Sequence, residues 1–184
     1  LGYYPENTYS ASLIMCTLVL VEKMSDRLPI LANFIRLLID RLGYQFNVEE
    51  EFDKRFRLQK YVYLARFFGL DLGYDYSMYM HGPYSPKLAD DYYELSRWAV
   101  LPSDEKTLAQ RGLEVDKFVE FVRNRDDEWL EIATTLIDVW EANPKISLEK
   151  LVEHVSRIKA HIKPRRIKAV AEELVKNGLL KAPS

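Results

Sequence analysis

The chain has 184 residues, 48% of them hydrophobic and 29% charged, with a net charge of −2. Those proportions exclude a disordered or collagen-like chain and allow one compact domain, or one domain with a small appendage. The lone cysteine, Cys16, excludes an intramolecular disulfide framework and fits a reducing, cytoplasmic setting.

Residues 1–10, LGYYPENTYS, read as a polar, turn-like lead-in. Ser10 or Ser12 is placed to cap a helix reaching about Met24. Its apolar run, Leu13–Val21, is too short to span a bilayer and has no basic segment before it, so it reads as a buried helix rather than a membrane or secretory segment. A second helix should follow, with Pro29 in its first turn and Gly43 just past its end. Ile30, Phe34, Leu37, Leu38 and Leu42 recur there at helical spacing, and Arg27, Asn33, Arg36 and Asp40 take the wet side. An acidic bend, Val48–Asp53, separates this helix pair from the central block.

The segment Arg57–Leu88, RLQKYVYLARFFGLDLGYDYSMYMHGPYSPKL, is rich in tyrosine. Leu58, Tyr61, Val62, Ala65 and Phe68 make one apolar helix face, with Gln59, Lys60 and Arg66 largely off it, and Gly69 supplies a left-handed stop. From Tyr74 to Met80 the pattern alternates as a half-buried strand does: Tyr74, Tyr76, Met78 and Met80 on one side, Asp75, Ser77, Tyr79 and His81 on the other. Its partner strand is expected in Gly178–Ala182 or in a second copy of the chain, since unpaired backbone groups must be satisfied. Gly82-Pro83 makes a turn, and Ser85 and Pro86 begin a helix running to about Trp98, with Asp90 and Asp91 in its early half.

Residues 99–113 read as a linker, interrupted by Pro102 and Gly112. Two helices should follow, Glu114–Asn124 and Asp126–Ala142. The second carries a wide apolar stripe through Trp129, Ile132, Ala133, Leu136, Ile137 and Trp140 and is ended by Asn143-Pro144. The expected organisation is a helical body over 1–143, with its Tyr-rich block at 57–98, and a basic segment over 144–184.

That last segment holds ten Lys/Arg against four Asp/Glu, whereas the rest holds sixteen against twenty-four. Such asymmetry points to a negative partner, or to docking on the acidic body of the same chain. Leu148, Leu151, Val152 and Val155 on one helix and Ile167, Val170, Ala171 and Leu174 on the next, joined around His161–Lys163, give the layout of a helix-turn-helix. Leu179-Leu180 would start a truncated wing. Arg165, Arg166 and Lys168 crowd the first turn of the second helix, where cations oppose the helix dipole, so duplex DNA phosphate is their natural partner. Lys163 and Lys176 join them as candidate nucleic-acid contacts. Lys168–Glu172 and Glu172–Lys176 pairs along one face would instead suit an ordinary helical hairpin.

Nothing in this pattern looks like a reaction centre. His81 has no nucleophile or acid beside it in motif context and reads as a turn residue. His154 and His161 have no third ligand, and no metal or cofactor is expected. The Glu49, Glu50, Glu51 and Asp53 cluster could serve metal-dependent hydrolysis but reads better as a solvated helix start. Tyr74, Tyr76, Tyr79 and Tyr84 are the candidates for a protein-docking surface.

The motifs at Arg57–Leu64 (R-L-Q-K-x-x-Y-L), Gly73–Tyr76 (G-Y-x-Y) and Gly82–Ser85 (G-P-Y-S) resemble the YwgA-type family of small prokaryotic proteins, related to the Panacea antitoxin domain. The run SDEKTLAQRGLE also resembles that family's linker. The resemblance covers residues 50–180 and implies a mainly helical fold with a small sheet, no catalytic residues, and regulation or toxin neutralisation through a protein partner. The expectations are therefore a mainly α, multi-helix domain with a short β element, acting as a non-enzymatic regulator that is DNA-binding or antitoxin-like. A protein-interaction module without nucleic-acid binding is the alternative. A homodimer is expected, and no membrane association.

Overall fold

Apolar residues at helical spacing along most of the chain dictate helices that each bury one face, and the computed structural model is built that way. It describes the backbone of residues 11–181 and the side chains of residues 26–181. The order is α1 (Ala11–Leu42), α2 (Phe52–Ala65) with a 3-10 turn at Arg66–Phe68, β1 (Ser77–Tyr79), β2 (Gly82–Tyr84), α3 (Pro86–Leu95), α4 (Glu105–Gln110), α5 (Val115–Val122), α6 (Asp127–Ala142), α7 (Leu148–Ile158) and α8 (Pro164–Lys176). The protein is mainly α with one small antiparallel sheet. The expected lead-in at 1–10, the cap at Ser10 or Ser12 and the burial of Leu13–Val21 lie outside the described backbone or side chains.

Helix α1 departs from the two-helix expectation, because it continues through Pro29. An interior proline removes one backbone bond and costs about 3 kcal/mol. Here the turns on both sides are fixed by other contacts. Arg27 Nε donates to Asp91 Oδ2 at 3.0 Å just before the proline, and Ile30, Leu31 and Phe34 are buried just after it. Gly43, with φ +67°, closes the helix as expected.

Helix α6 is the axis. Trp129, Leu130, Ile132, Ala133, Leu136 and Ile137 are all buried, as are Glu131, Thr134 and Thr135, so the helix is covered nearly all round. It touches α2, β2, α7 and α8. Asp126 caps it, accepting from Trp129 N at 2.7 Å. The expected linker contains a helix of its own, α4, capped by Asp104, which accepts from Thr107 N at 2.9 Å. The loop after α4 meets the end of α2 at a point where backbone touches backbone. Gly69 and Gly112 both have left-handed φ (+95° and +104°), and a Cβ on either would collide with the other's carbonyl oxygen. Glu114 N donates to Phe68 O across the same junction at 2.8 Å.

The strand expectation needs two corrections. The partner of β1 is neither Gly178–Ala182 nor another chain but β2, in the register Ser77↔Tyr84, Met78↔Pro83 and Tyr79↔Gly82, with Met80-His81 as the turn. The Gly-Pro pair therefore belongs to the returning strand. Nor does burial alternate to the end: Tyr74 is buried, Asp75 exposed and Tyr76 half-buried, but Ser77, Met78, Tyr79 and Met80 are all exposed. A two-stranded hairpin has no second layer over its outer face, so period 2 in the sequence is not matched by a buried side. At the other end, Leu179 N and Leu180 N both donate to Leu174 O, so this pair closes α8 and is buried. It does not start a wing.

Candidate binding site at the aromatic cavity

A lone hairpin leaves carbonyl and amide groups without partners, and buried ones must find them elsewhere. Three side chains supply them here. Gln59 pairs with Ser85 as a strand residue would, its Nε2 donating to Ser85 O at 2.9 Å and its Oε1 accepting from Ser85 N at 3.0 Å. Lys60 Nζ donates to Pro83 O at 2.7 Å. From the α7–α8 turn, Lys159 Nζ donates to Met80 O. Ser85 Oγ is then free to cap α3, accepting from Leu88 N at 3.3 Å, with Pro86 as first helical residue. Gly82, with φ +89°, adopts a backbone that other residues avoid, and a Cβ there would lie 2.8 Å from Thr135 Oγ1.

Behind the turn sits a cluster of charge. Glu131 Oε1 is 2.7 Å from Lys159 Nζ and 3.6 Å from His161 Nε2, and Oε2 is 3.2 Å from His81 Nδ1. Burial opposes charge on Glu131, but the bond to Lys159 and the neighbouring His81 outweigh it and hold the carboxyl below its usual range. Lys60 differs. Only 2% exposed, it has the Pro83 carbonyl as its acceptor and forms no ion pair among the described residues. Burial pushes its ammonium down to about 7, with the more distant Glu131 working in the opposite direction.

In front of these residues lies a cavity of about 550 Å³ lined by α2, the hairpin and α3. Its walls are aromatic: Phe52, Phe56, Tyr79, Tyr84, Tyr92 and Tyr93. The His81 ring stands edge-on to Phe52 and Phe56, at 5.7 and 6.2 Å between centroids. The rim is unusually apolar for a water-facing surface, with Phe52 58%, Tyr79 60% and Met80 82% exposed.

Of the four tyrosines proposed for docking, Tyr79 and Tyr84 meet at this cavity, 5.2 Å apart. The other two do not. Tyr74 is buried, its hydroxyl donating to Asp91 Oδ2 at 2.8 Å beneath Arg27, and Tyr76 is wedged edge-on against Tyr63 at 5.0 Å. Helical spacing also placed Gln59 and Lys60 off the buried face, and both are buried. The signal that finds them is their position between Phe56 and Tyr63, three or four residues from each and hence on the same side of α2.

The basic segment is not uniformly free. Lys159 is buried on Glu131, and Arg166 reaches Asp126 Oδ2 at 3.1 Å and Glu128 Oε1 at 3.4 Å. Arg166 thus ties α8 to the start of α6, which explains a cation at that helix terminus without any phosphate. Lys168 faces Glu172 at 3.8 Å. Lys163, Arg165 and Lys176 are exposed and make no ion pair among the described residues. Among the described residues no three His, Cys, Asp or Glu side chains are placed to hold a metal ion. In the Glu49–Asp53 bend, Asp53 pairs with Lys54 at 3.1 Å, Glu51 accepts from Asn47 at 2.9 Å and Glu49 accepts from Ser96 Oγ at 2.7 Å. No helix among the described residues is long and apolar enough to cross a membrane. The chain matches no family model, no curated protein and no solved structure.

Proposed function

We propose that this chain is a non-enzymatic regulator that acts by holding another protein at the aromatic face of the β1–β2 hairpin, as an antitoxin holds its toxin. The observation that carries this is the exposure of Phe52, Tyr79 and Met80 around one cavity. Large apolar side chains kept in water cost stability, and such clusters mark interaction sites. The hairpin under them is fixed by Gln59, Lys60 and Lys159, so the surface is preorganised for a partner. The resemblance to the YwgA-type and Panacea group supports the same reading, and the cytoplasm is the proposed compartment. An antitoxin is normally encoded beside its toxin, so the test is co-expression with the product of the adjacent gene. A stable complex is expected, and the double variant Tyr79→Ala/Met80→Ser should lose it while melting at the same temperature. A complex that ignores this variant, or no complex, overturns the reading. Self-association through the same face, giving the homodimer, is read by light scattering at high micromolar concentration.

A second reading, contact with duplex DNA, is favoured by Arg165, Lys168 and Lys176, spaced along one exposed side of α8, with Lys163 at its start. If these meet phosphate, affinity should fall steeply with salt. Replacing Arg165, Lys168 and Lys176 by Ala should flatten the salt slope by up to about three. Fluorescence anisotropy at several salt concentrations reads this; absence of salt-sensitive binding at low ionic strength removes DNA as a partner.

A further inference from the structure

Among the described residues, Lys159 and Arg27 are cations with side chains largely withdrawn from water, and each has a counter-ion. Lys159 lies on Glu131 at 2.7 Å and Arg27 on Asp91 at 3.0 Å. Lys60, among the described residues, has none. One of its three N–H groups is taken by Pro83 O, and the ammonium borders the cavity. Nζ also stands over the face of Phe56, 5.2 Å from the ring centre. Withdrawing a charge without a counter-ion is costly, and an incoming anion offsets that cost. The cavity lining has the matching composition: Arg55, Lys60 and His81 are its ionisable cations, and it contains no Asp or Glu. The remaining lining is mostly aromatic. A Cβ on Gly82 would lie 2.8 Å from Thr135 Oγ1 and 3.5 Å from Lys60 Nζ, and that Thr135 hydroxyl is buried without a hydrogen-bond partner. A volume of about 550 Å³ lies within the roughly 300–1,000 Å³ that small organic ligands occupy.

We propose that this cavity binds an aromatic carboxylate, its ring held among the tyrosine and phenylalanine side chains and its carboxylate paired with the Lys60 ammonium. The proposal rests on the aromatic face being a binding site and says what the site takes. Two sources share the chemistry: a free aromatic acid, and the C-terminal residue of a partner chain ending in Phe, Tyr or Trp. A carboxylate arriving at Lys60 holds the proton on the ammonium, so binding takes up a proton when Lys60 is partly neutral beforehand and weakens as pH rises. The charged groups acting on Lys60 are Glu131 and Asp138 of α6 and Lys159 after α7, while Arg55 of α2 and His81 of the hairpin turn share the cavity lining with it.

Calorimetric titration of the full chain tests this with four probes: 2-naphthoate, 2-naphthamide, the peptide Gly-Gly-Phe with a free C-terminus, and the same peptide amidated. At pH 6.5 one acid should bind at least about tenfold tighter than its own amide, a typical value for a gained charge-assisted hydrogen bond. At pH 8.5 that preference should shrink several-fold, a check that needs no variant. Lys60→Met should abolish both the preference and its pH dependence, which separates Lys60 from its charged neighbours. Naphthoate binding alone assigns the site to a free acid; tighter binding of the peptide acid assigns it to a partner's C-terminus. Equal affinity for acid and amide overturns the anionic anchor while leaving the aromatic face as a binding site. Failure of all four to bind overturns it as well, and partner capture is then judged separately by co-purification. A preference unchanged in Lys60→Met overturns the role of that lysine.

Discussion

The hairpin block and the α7–α8 pair are both small units leaning on α6, yet they are held by different means. The helix pair is joined to α6 through an apolar stripe, Leu151, Val155, Ile167, Val170, Ala171 and Leu174, with its polar bonds at the margins. The hairpin is held by single side chains bonded to named backbone atoms: Gln59 to Ser85, Lys60 to Pro83, Lys159 to Met80. An apolar stripe accepts many sequences of similar volume, because burial is non-directional. A buried side chain bonded to backbone accepts almost none, because the substitute leaves a polar group unpaired. The two units should therefore respond oppositely to substitution.

The largest expected loss is at Gln59. Gln59→Leu strands both the amide and the carbonyl of Ser85 in the interior, at about 1–3 kcal/mol each, and should lower the urea midpoint accordingly. A loss below about 1 kcal/mol would mean that the hairpin is held mainly by packing, like the helix pair. Next comes Lys60, read through pH. Its ammonium is held down to about 7 in the folded chain, while an unfolded lysine keeps its proton to about 10.5. Between these values the unfolded chain binds more protons, so stability should rise with pH from 7 towards 9.5, by up to about 1.4 kcal/mol per unit. Above about pH 10 buried tyrosines, whose hydroxyls burial raises, turn the trend downward. Denaturant melts across that range should show the slope, and Lys60→Met should remove it. Ser85→Ala comes third, at about 1 kcal/mol for a lost N-cap. Last, Arg165→Ala, Lys168→Ala and Lys176→Ala together should change stability by less than about 0.5 kcal/mol, the usual range for exposed positions.

The same contrast decides how much of the fold is legible in the chain alone. Helices α6, α7 and α8 and the start of α3 are legible because caps, proline, glycine and apolar spacing all lie within a few residues of the feature they specify. Ser85-Pro86, Gly69 and Asn143-Pro144 are examples. The hairpin is half legible: β1 has strand residues, but β2 is Gly-Pro-Tyr, whose local chemistry spells a turn, and it becomes a strand by pairing with β1 while Lys60 of α2 holds its Pro83 carbonyl. Pro29 reads as a helix start because Asp91, which fixes Arg27 before it, lies far along the chain. The site is least legible. Glutamine and lysine on a helix read as wet, and nothing nearby announces that their partners are backbone atoms of a later segment. In the same way Lys159 counts towards a basic tail until Glu131 is seen to neutralise it.

The Gly69–Gly112 junction carries a consequence for variation in this fold. Each glycine is required twice over, once by its own left-handed backbone and once by the other's carbonyl. Relieving the collision at one position leaves the torsional demand at both, so no pair of compensating replacements exists. The two sites cannot drift together as contacting residues usually do; they stay glycine or the α4–α5 connection moves away. A homologous chain with a side chain at either position is thus expected to have lengthened or re-routed the loop before α5, with the Glu114–Phe68 backbone bond lost.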